Sequence, residues 1–486
     1  MAQALFPVLT VLGFVLTLFS LAFLIPLGYA LATDEPTVEA FSVGFVGTFV
    51  IGLLMHLLTK RYRRELRVRD GFLLVSTVWA GIPAVACIPM MYFLTDLSFT
   101  DSYYEMVSAL TTTGGTALAG LDQLPHSINI WRMFLTWLGG MGILVLAVAI
   151  LPLLGVGGSQ VFKAETPGPM KDNKLTPRIT ETAKALYLIY FVLTVLCAVA
   201  YKVAGMNGLD AVLHAMSTMA LSGFSSHDAS FAYWDSQLIE SVAVVFMLVA
   251  SINFAIHFTV WRSKTFKPYS TCPETRWSLM VMLGASVLVA AYLLAYGQYA
   301  TFAESFRHAL FNTVSVATTS GFANTDYARW PLFAPLLMLS LCMFATAAGS
   351  TGGGIKMMRF VILLKQASRE LSRTLHPRAV NPVMVSNTPI ENQVIFGVLA
   401  FMLMYGFSII VLTMLLIFSG LDPVSSLTGV IASINCTGPG LGVVGPASNY
   451  SVLTDFQTWV MTFAMLLGRL ELFPILLLFT PTFWRK

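Results

Sequence analysis

Apolar residues along this chain fall into long blocks, and the polar and charged residues collect in the gaps between them. Blocks at 5–31, 41–58, 131–154 and 456–480 are each long enough to cross a hydrocarbon core as a helix, which takes roughly 20 residues. The pattern predicts ten spans, near 4–31, 39–59, 71–95, 130–156, 181–203, 237–261, 277–298, 331–365, 391–419 and 454–480. The gaps after the third, fifth, seventh and ninth spans carry more than a polar loop. Each holds a half-apolar stretch of about a dozen residues, too short to span. Such a stretch reads as a re-entrant segment or as an amphipathic helix lying on the membrane surface.

Alignment of the four stretches reveals an internal repeat. Residues 101–115 read DSYYEMVSALTTTGG, 210–224 read DAVLHAMSTMALSGF, 312–322 read NTVSVATTSGF and 430–439 read VIASINCTGP. Placed on Gly114, Gly223, Gly321 and Gly438, each runs from a helix-compatible stretch through small or hydroxylic residues to a glycine. One such string carries no weight, because Ser, Thr and Gly are common. Four in register, each between paired spans, predict a unit of span, short helix, glycine turn and span.

That composition suits one chemistry. A cation stripped of water needs its hydration shell replaced, and backbone carbonyls aimed at a common axis do this. Aiming them requires backbone angles that glycine tolerates and branched residues do not. Irregular backbone at membrane depth is allowed only where protein buries it or where it lines a water-filled cavity. A helix ending at the turn also directs its partly negative C-terminal end toward the cation. The expected fold is an all-α membrane protein in which four span–pore helix–span repeats surround a central ion pore in pseudo-fourfold order, with a helix pair in front.

Composition and charge sharpen this picture. Of 486 residues 56% are hydrophobic and only 11% charged, with a mean hydropathy of +0.76. Soluble globular proteins carry about 25% charged residues, so that class is excluded. The net charge of +4 matters less than its placement. Six Lys and Arg fall in 60–69, five in 163–184, four in 262–276, six in 356–378 and two at the C-terminus. The alternate gaps hold only Arg132, Lys202, Arg307 and Arg329. Cytoplasmic loops carry the basic excess, so the Lys- and Arg-rich stretches and both termini are expected inside and the repeat glycines toward the outside. The first block lacks a basic n-region and a small-residue cleavage pattern, and reads as a retained helix. Five scattered cysteines and seven histidines show no disulfide framework or metal-ligand spacing.

Two features lie outside the repeat. The eighth block is interrupted at 347–354 (AAGSTGGG), and each glycine costs a helix up to about 1 kcal/mol relative to alanine. The composition leaves open a pliable gating strip or close helix packing through Gly349 and Gly353. A phosphate-binding loop fails on detail, since Ile355 stands where lysine is needed and Met357, not Ser or Thr, follows Lys356. Arg469 falls near the middle of the last block, where an arginine costs at least about 2.5–3.5 kcal/mol on insertion scales and should face protein or a cavity. Glu471 is the one charge nearby, but residues two apart on a helix point to different faces. Asp101, Asp210, Asp228 and Asp326 fall near the outer ends of the repeats, as cation-enriching groups or as ordinary solvated acids.

The strings TTTG at 111–114, ATTSGF at 317–322, NCTGPG at 435–440, AGSTGGGIK at 348–356 and GRLE at 468–471 make the chain resemble the TrkH/KtrB/HKT superfamily of potassium transporters, and most of all its TrkH branch. The resemblance covers nearly the whole chain. It implies an N-terminal helix pair at 1–69 and pore repeats at 70–178, 179–272, 273–385 (with a broken second helix) and 386–486. It implies a selectivity filter at Gly114, Gly223, Gly321 and Gly438, with backbone carbonyls from Thr112, Thr113, Leu221, Ser222, Thr319, Ser320, Cys436 and Thr437. Serine at the first position accompanies Na⁺ permeation in that superfamily, so four glycines favour K⁺. Gly115, where the second and third repeats have Phe224 and Phe322, implies a looser first quadrant.

Beneath the filter the resemblance implies an intramembrane gating loop of Gly349, Ser350, Thr351, Gly352, Gly353 and Gly354. Arg469 would be a positive barrier in the pore, paired to that loop. The implied function is K⁺ uptake across a bacterial inner membrane, with K⁺ as the transported ion and no prosthetic group. The implied partners are a second copy, as a homodimer, and a cytosolic TrkA-like ring of nucleotide-binding subunits that docks on inner loops near 60–70, 163–180 and 262–276. The lipid bilayer surrounds the chain, and no nucleic acid is expected. A symporter coupling K⁺ to H⁺ or Na⁺ is the alternative, but it needs a buried residue whose charge alternates. Arg469, the best candidate, effectively never deprotonates. An enzyme is not expected, since no span offers a paired nucleophile and base or a metal-ligand set.

Overall fold

A computed structural model of the chain describes residues 2–62, 64, 66–145, 178–378, 381–385 and 388–485. These are almost wholly helical, and the sheet among them is a two-residue pairing of Met384–Val385 with Thr388–Pro389. Among the described residues six helices are long and apolar enough to cross a membrane: Leu5–Ala32, Val38–Tyr62, Arg69–Phe93, Ala183–Val203, Pro273–Ala295 and Asn392–Phe418.

Of the other four expected spans, three are interrupted and the fourth is described only in part. The sixth turns through 92° between Gln237–Ala250 and Phe254–Ser263. Asn253 accepts the Ala255 N–H at 2.8 Å there and starts the new helix as its N-cap. The eighth divides into Phe333–Cys342 and Met357–Leu375, with the glycine-rich loop between. The tenth breaks after Asp455–Arg469, where Glu471 and Leu472 take left-handed angles (φ 55° and 59°) before Phe473–Leu478. The fourth is described as His126–Val145; its expected continuation to 156 and the basic residues at 163–174 lie outside the described residues.

The outer surface is what a bilayer requires. Leu58, Val203 and Phe418 expose 72%, 80% and 89% of their surface, an arrangement water would penalise and hydrocarbon does not. This is an integral membrane protein. Its first two helices touch backbone to backbone: a Cβ on Gly13 would lie 2.8 Å from the Gly52 carbonyl oxygen, and one on Gly52 2.8 Å from that of Gly13. Close approach through small residues is how membrane helices gain packing energy without a hydrophobic effect between them. Phe23 then stacks on buried Trp131 at 4.4 Å, joining the pair to the first repeat.

Four short helices occupy the centre: Phe99–Leu110, Gly208–Ala220, Phe302–Ala317 and Pro423–Ile434. Each starts on a side-chain cap, with Ser98, Asn207, Thr301 and Asp422 accepting N–H bonds at 3.0, 2.8, 3.2 and 2.9 Å. Each is held by the helix before it, the helix after it, and the second helix of the preceding unit. The first packs on Val68–Ala86 and His126–Val145, and also on Asp455–Arg469 from the end of the chain. The second packs on Arg178–Val203, Gln237–Ala250 and His126–Val145. The third takes Pro273–Ala295, Phe333–Cys342 and Gln237–Ala250; the fourth takes Asn392–Phe418, Asp455–Arg469 and Phe333–Cys342. The order closes on itself, which is pseudo-fourfold symmetry expressed as packing.

Candidate functional site

All four short helices end in the same way. Thr112, Leu221, Thr319 and Cys436 take left-handed backbone angles (φ 55°, 54°, 63° and 54°) and are buried. The next residue donates its N–H back into the helix, Thr113 to Ser108, Ser222 to Ser217, Ser320 to Ser315 and Thr437 to Ala432, at 2.9, 3.1, 2.8 and 2.8 Å. This is the Schellman closure, normally built on glycine. A residue with a side chain in that region costs about 1–2 kcal/mol, so four in register mark a conformation the surroundings impose. The glycines follow, again left-handed, at φ 79°, 79°, 82° and 90°.

These glycines meet. A Cβ on Gly114 would strike the Ser222 carbonyl oxygen, one on Gly223 the Ser320 oxygen, and one on Gly321 the Thr437 oxygen. One on Gly438 would lie 2.7 Å from the Thr113 oxygen, which returns the series to its start. Thr113, Ser222, Ser320 and Thr437, four of the eight expected carbonyl residues, and the four expected glycines therefore form one closed ring, with no room for a side chain at any glycine.

Behind the ring, each short helix ties down the strand that leaves its own glycine. At equivalent steps stand Glu105, His214, Asn312 and Gly429. Glu105 accepts the Ala117 N–H at 2.8 Å and the Thr116 hydroxyl, and pairs with Arg132 at 2.7 Å, both side chains fully buried. Arg132 also reaches the Ser225 carbonyl (3.2 Å) and lies over Phe224 at 4.4 Å, so it braces the first two quadrants together. His214 bonds Ser225 Oγ at 3.0 Å, and Asn312 donates to Asn324 at 2.6 Å. In the fourth unit Thr428, beside Gly429, accepts the Leu441 N–H at 2.9 Å. Sequence reasoning missed these four tethers. The signal for the first was present in a lone arginine on the charge-poor side and an acid inside a half-apolar stretch.

The first quadrant is not loose, contrary to what Gly115 implied. A Cβ there would lie 2.5 Å from the Tyr104 hydroxyl and 3.1 Å from the Tyr450 ring, so two buried aromatics fill the volume. The Tyr450 hydroxyl donates to the Gly438 carbonyl at 2.6 Å and its N–H to the Thr116 carbonyl at 2.8 Å, the second joining the first and fourth quadrants.

The glycine-rich loop lies against the helix ends on the side of the ring away from the N-caps. Gly353 donates to Thr319 Oγ1 at 2.9 Å, and a Cβ on it would strike the Asn435 carbonyl. Thr351 donates to the Met219 carbonyl at 3.0 Å, and a Cβ on Gly352 would lie 3.1 Å from the Thr318 oxygen. The loop is held from below as well. Gly349 accepts the Phe254 N–H at 3.0 Å, Ser350 donates to Ala347 at 2.6 Å, and Gly354 takes φ 83°. Buried Arg469 donates to the Thr351 carbonyl at 3.0 Å, and Lys356 reaches that of Gly352. Glu471 does not pair with Arg469; it binds Arg359 at 2.7 Å, because the left-handed break turns it away.

Among the acids, Asp101 bonds its own cap Ser98, and Asp326 pairs with Arg329 at 2.9 Å. Asp228 lines the mouth of the ring beside His227, and buried Asp210 pairs with His227 from behind that lining. Among the described residues no group of three or more His, Cys, Asp or Glu side chains could hold a metal ion. A cation at the ring would instead meet backbone carbonyls and the negative ends of four helices.

A family model described as a cation transport protein, TrkH, matches residues 38–486. The Trk system potassium uptake protein TrkH of Vibrio parahaemolyticus is 43% identical over 484 residues, covering 99% of both chains. Its namesake in Escherichia coli K12 is 42% identical over 477 residues, with 98% of both covered. The E. coli K12 protein TrkG is 38% identical over 475 residues, covering 98% of this chain and 97% of its own. The crystal structure of the potassium transporter TrkH from V. parahaemolyticus superposes with a TM-score of 0.91 at 40% identity, covering 99% of this chain and 100% of that one.

Proposed function

The chain belongs to the TrkH family of cation transport proteins, and from that premise we propose that it admits K⁺ to the cell by a gated, channel-like path along the axis of the four glycines. The observation that carries this reading is the closed ring, in which every glycine abuts the next unit's carbonyl. Carbonyls of Thr112, Thr113, Leu221, Ser222, Thr319, Ser320, Cys436 and Thr437, with those of Gly114, Gly223, Gly321 and Gly438, replace the ion's hydration shell. The loop from Gly349 to Gly354 closes the path, and Arg469 latches it through Thr351 while opposing a cation electrostatically.

In the same reading the division at 1–69, 70–178, 179–272, 273–385 and 386–486 gives the functional units. The protein sits in a bacterial inner membrane with both termini inside, and works as a homodimer under a TrkA-like nucleotide-binding ring. That ring docks on the basic loops near 60–70 and 262–276; the third loop, around 163–180, lies largely outside the described residues.

The test is K⁺ and Na⁺ flux through the purified chain in liposomes. Gly114→Ser is expected to admit Na⁺ and Arg469→Ala to raise the K⁺ rate. Unselective native flux that neither substitution alters would reduce the ring to a packing pattern. K⁺ entry that stops when an inwardly directed H⁺ or Na⁺ gradient is collapsed would replace the channel-like path with coupled symport.

A further inference from the structure

His227 sits at the mouth of the ring, on the segment leaving the second glycine, in a cavity lined also by Gly114, Gly223, Gly321, Arg132 and Asp228. Its Nδ1 is hydrogen-bonded to the Asp122 carboxylate, on the turn that follows the first glycine. Its Nε2 lies 3.1 Å from Asp210 Oδ2, in the first turn of the second short helix. An ionised carboxylate only accepts, so both ring nitrogens must donate, and only the imidazolium carries two N–H groups. Asp210 does not supply the missing proton. Burial works against its charge, but bonds from His227 and Ser226 outweigh that and hold its pKa at about 2. Burial likewise opposes a charged His227, yet the bonds and charges of Asp210 and Asp122 prevail and raise its pKa.

The surroundings hold the imidazole still. Tyr233 stacks on it at 3.6 Å, Trp234 meets it edge-on at 5.0 Å, and His214, already bonded to Ser225, lies at 6.4 Å. The two loops it spans are tied independently. Asp228 accepts the Leu121 N–H at 3.1 Å and donates its own N–H to Asp122 at 3.2 Å. Loss of the proton therefore changes the charge of the mouth while the mouth stays assembled.

We propose that His227 sets the charge at the entrance: as an imidazolium it cancels one of the two carboxylates it bridges, and on deprotonation it leaves the entrance more attractive to the incoming cation. This rests on the K⁺ path proposed above, and the experiment separates the two. The full chain in liposomes is assayed for K⁺ uptake against K⁺ concentration, with pH stepped on each side in turn between about 5.5 and 8.5, the range that brackets histidine titration. Raising pH on the side His227 faces is expected to lower the half-saturating K⁺ concentration roughly threefold at unchanged maximal rate, the scale of one screened unit charge.

His227→Gln should fix the low value at every pH and His227→Arg the high one. Asp122→Asn, which alters an exposed side chain, should move the native midpoint down toward the ordinary histidine range. A native curve that is flat in pH, or a His227→Gln curve that keeps the native dependence, would overturn the proposal. No K⁺ flux at all would sink the underlying path instead. Should His227 variants fail to fold, the native curve and Asp122→Asn still decide.

Discussion

Glu105 and Arg132 show what a single buried charge does here. Neither side chain reaches solvent; the two pair with each other and direct their remaining hydrogen bonds to segments from two quadrants. Removing one partner of such a pair strands the other charge and costs about 3–5 kcal/mol, whereas replacing both can be nearly neutral. Arg132→Met is therefore expected to lower the thermal midpoint of the detergent-purified protein sharply and to blur K⁺ over Na⁺ selection in flux. Adding Glu105→Leu should restore much of the midpoint but not the selection. The entrance histidine gives a pH signature of its own. Its raised pKa means its contribution to stability is complete below the ordinary histidine value and is lost as pH rises through the raised one. Asp210, held at about 2, contributes above the ordinary carboxylate range and loses this as pH falls toward 2. Thermal unfolding of the native chain and of His227→Gln should thus differ near pH 6 and converge by about pH 9.

The short helix is the working element, and its two ends differ in origin. The N-terminal end is a side-chain cap, so Asp422→Ala should cost about 1 kcal/mol and speed hydrogen exchange over 423–434. The C-terminal end is a strained turn that no side chain creates, held by helices packed around it. That difference explains what the sequence made legible. The four glycines could be found because any Cβ is excluded at each, leaving an invariant letter in every repeat. The break in the eighth span could be found because a run of glycines weakens a helix by composition alone. The left-handed turn at Glu471 and Leu472 and the bend at Asn253 could not, since ordinary residues adopt them for tertiary reasons. The tethers escaped because Glu105, His214, Asn312 and Thr428 do one job with four chemistries, and alignment sees only identity.

At the scale of the molecule, the N-terminal pair packs on the first repeat but stands outside the closed order of the ring. The ring's helices lock in a closed order, whereas Ala2–Phe19 and Val38–Thr59 grip each other through Gly13 and Gly52 on the periphery. Gly13→Leu should force that pair apart and lower the thermal midpoint, yet leave the K⁺ to Na⁺ flux ratio where it was. A fall in that ratio would show that the pair reaches the ring through the contact of Phe23 with Trp131. The divergence of the four tethers has a wider meaning. In a channel assembled from four copies of one subunit, every mutation is written four times, and an improvement to one wall is an injury to any wall it does not suit. Here a single reading frame spells out all four walls separately. Natural selection can thus edit one side of the opening, as with the histidine that only the second unit carries, and leave its three siblings as they were.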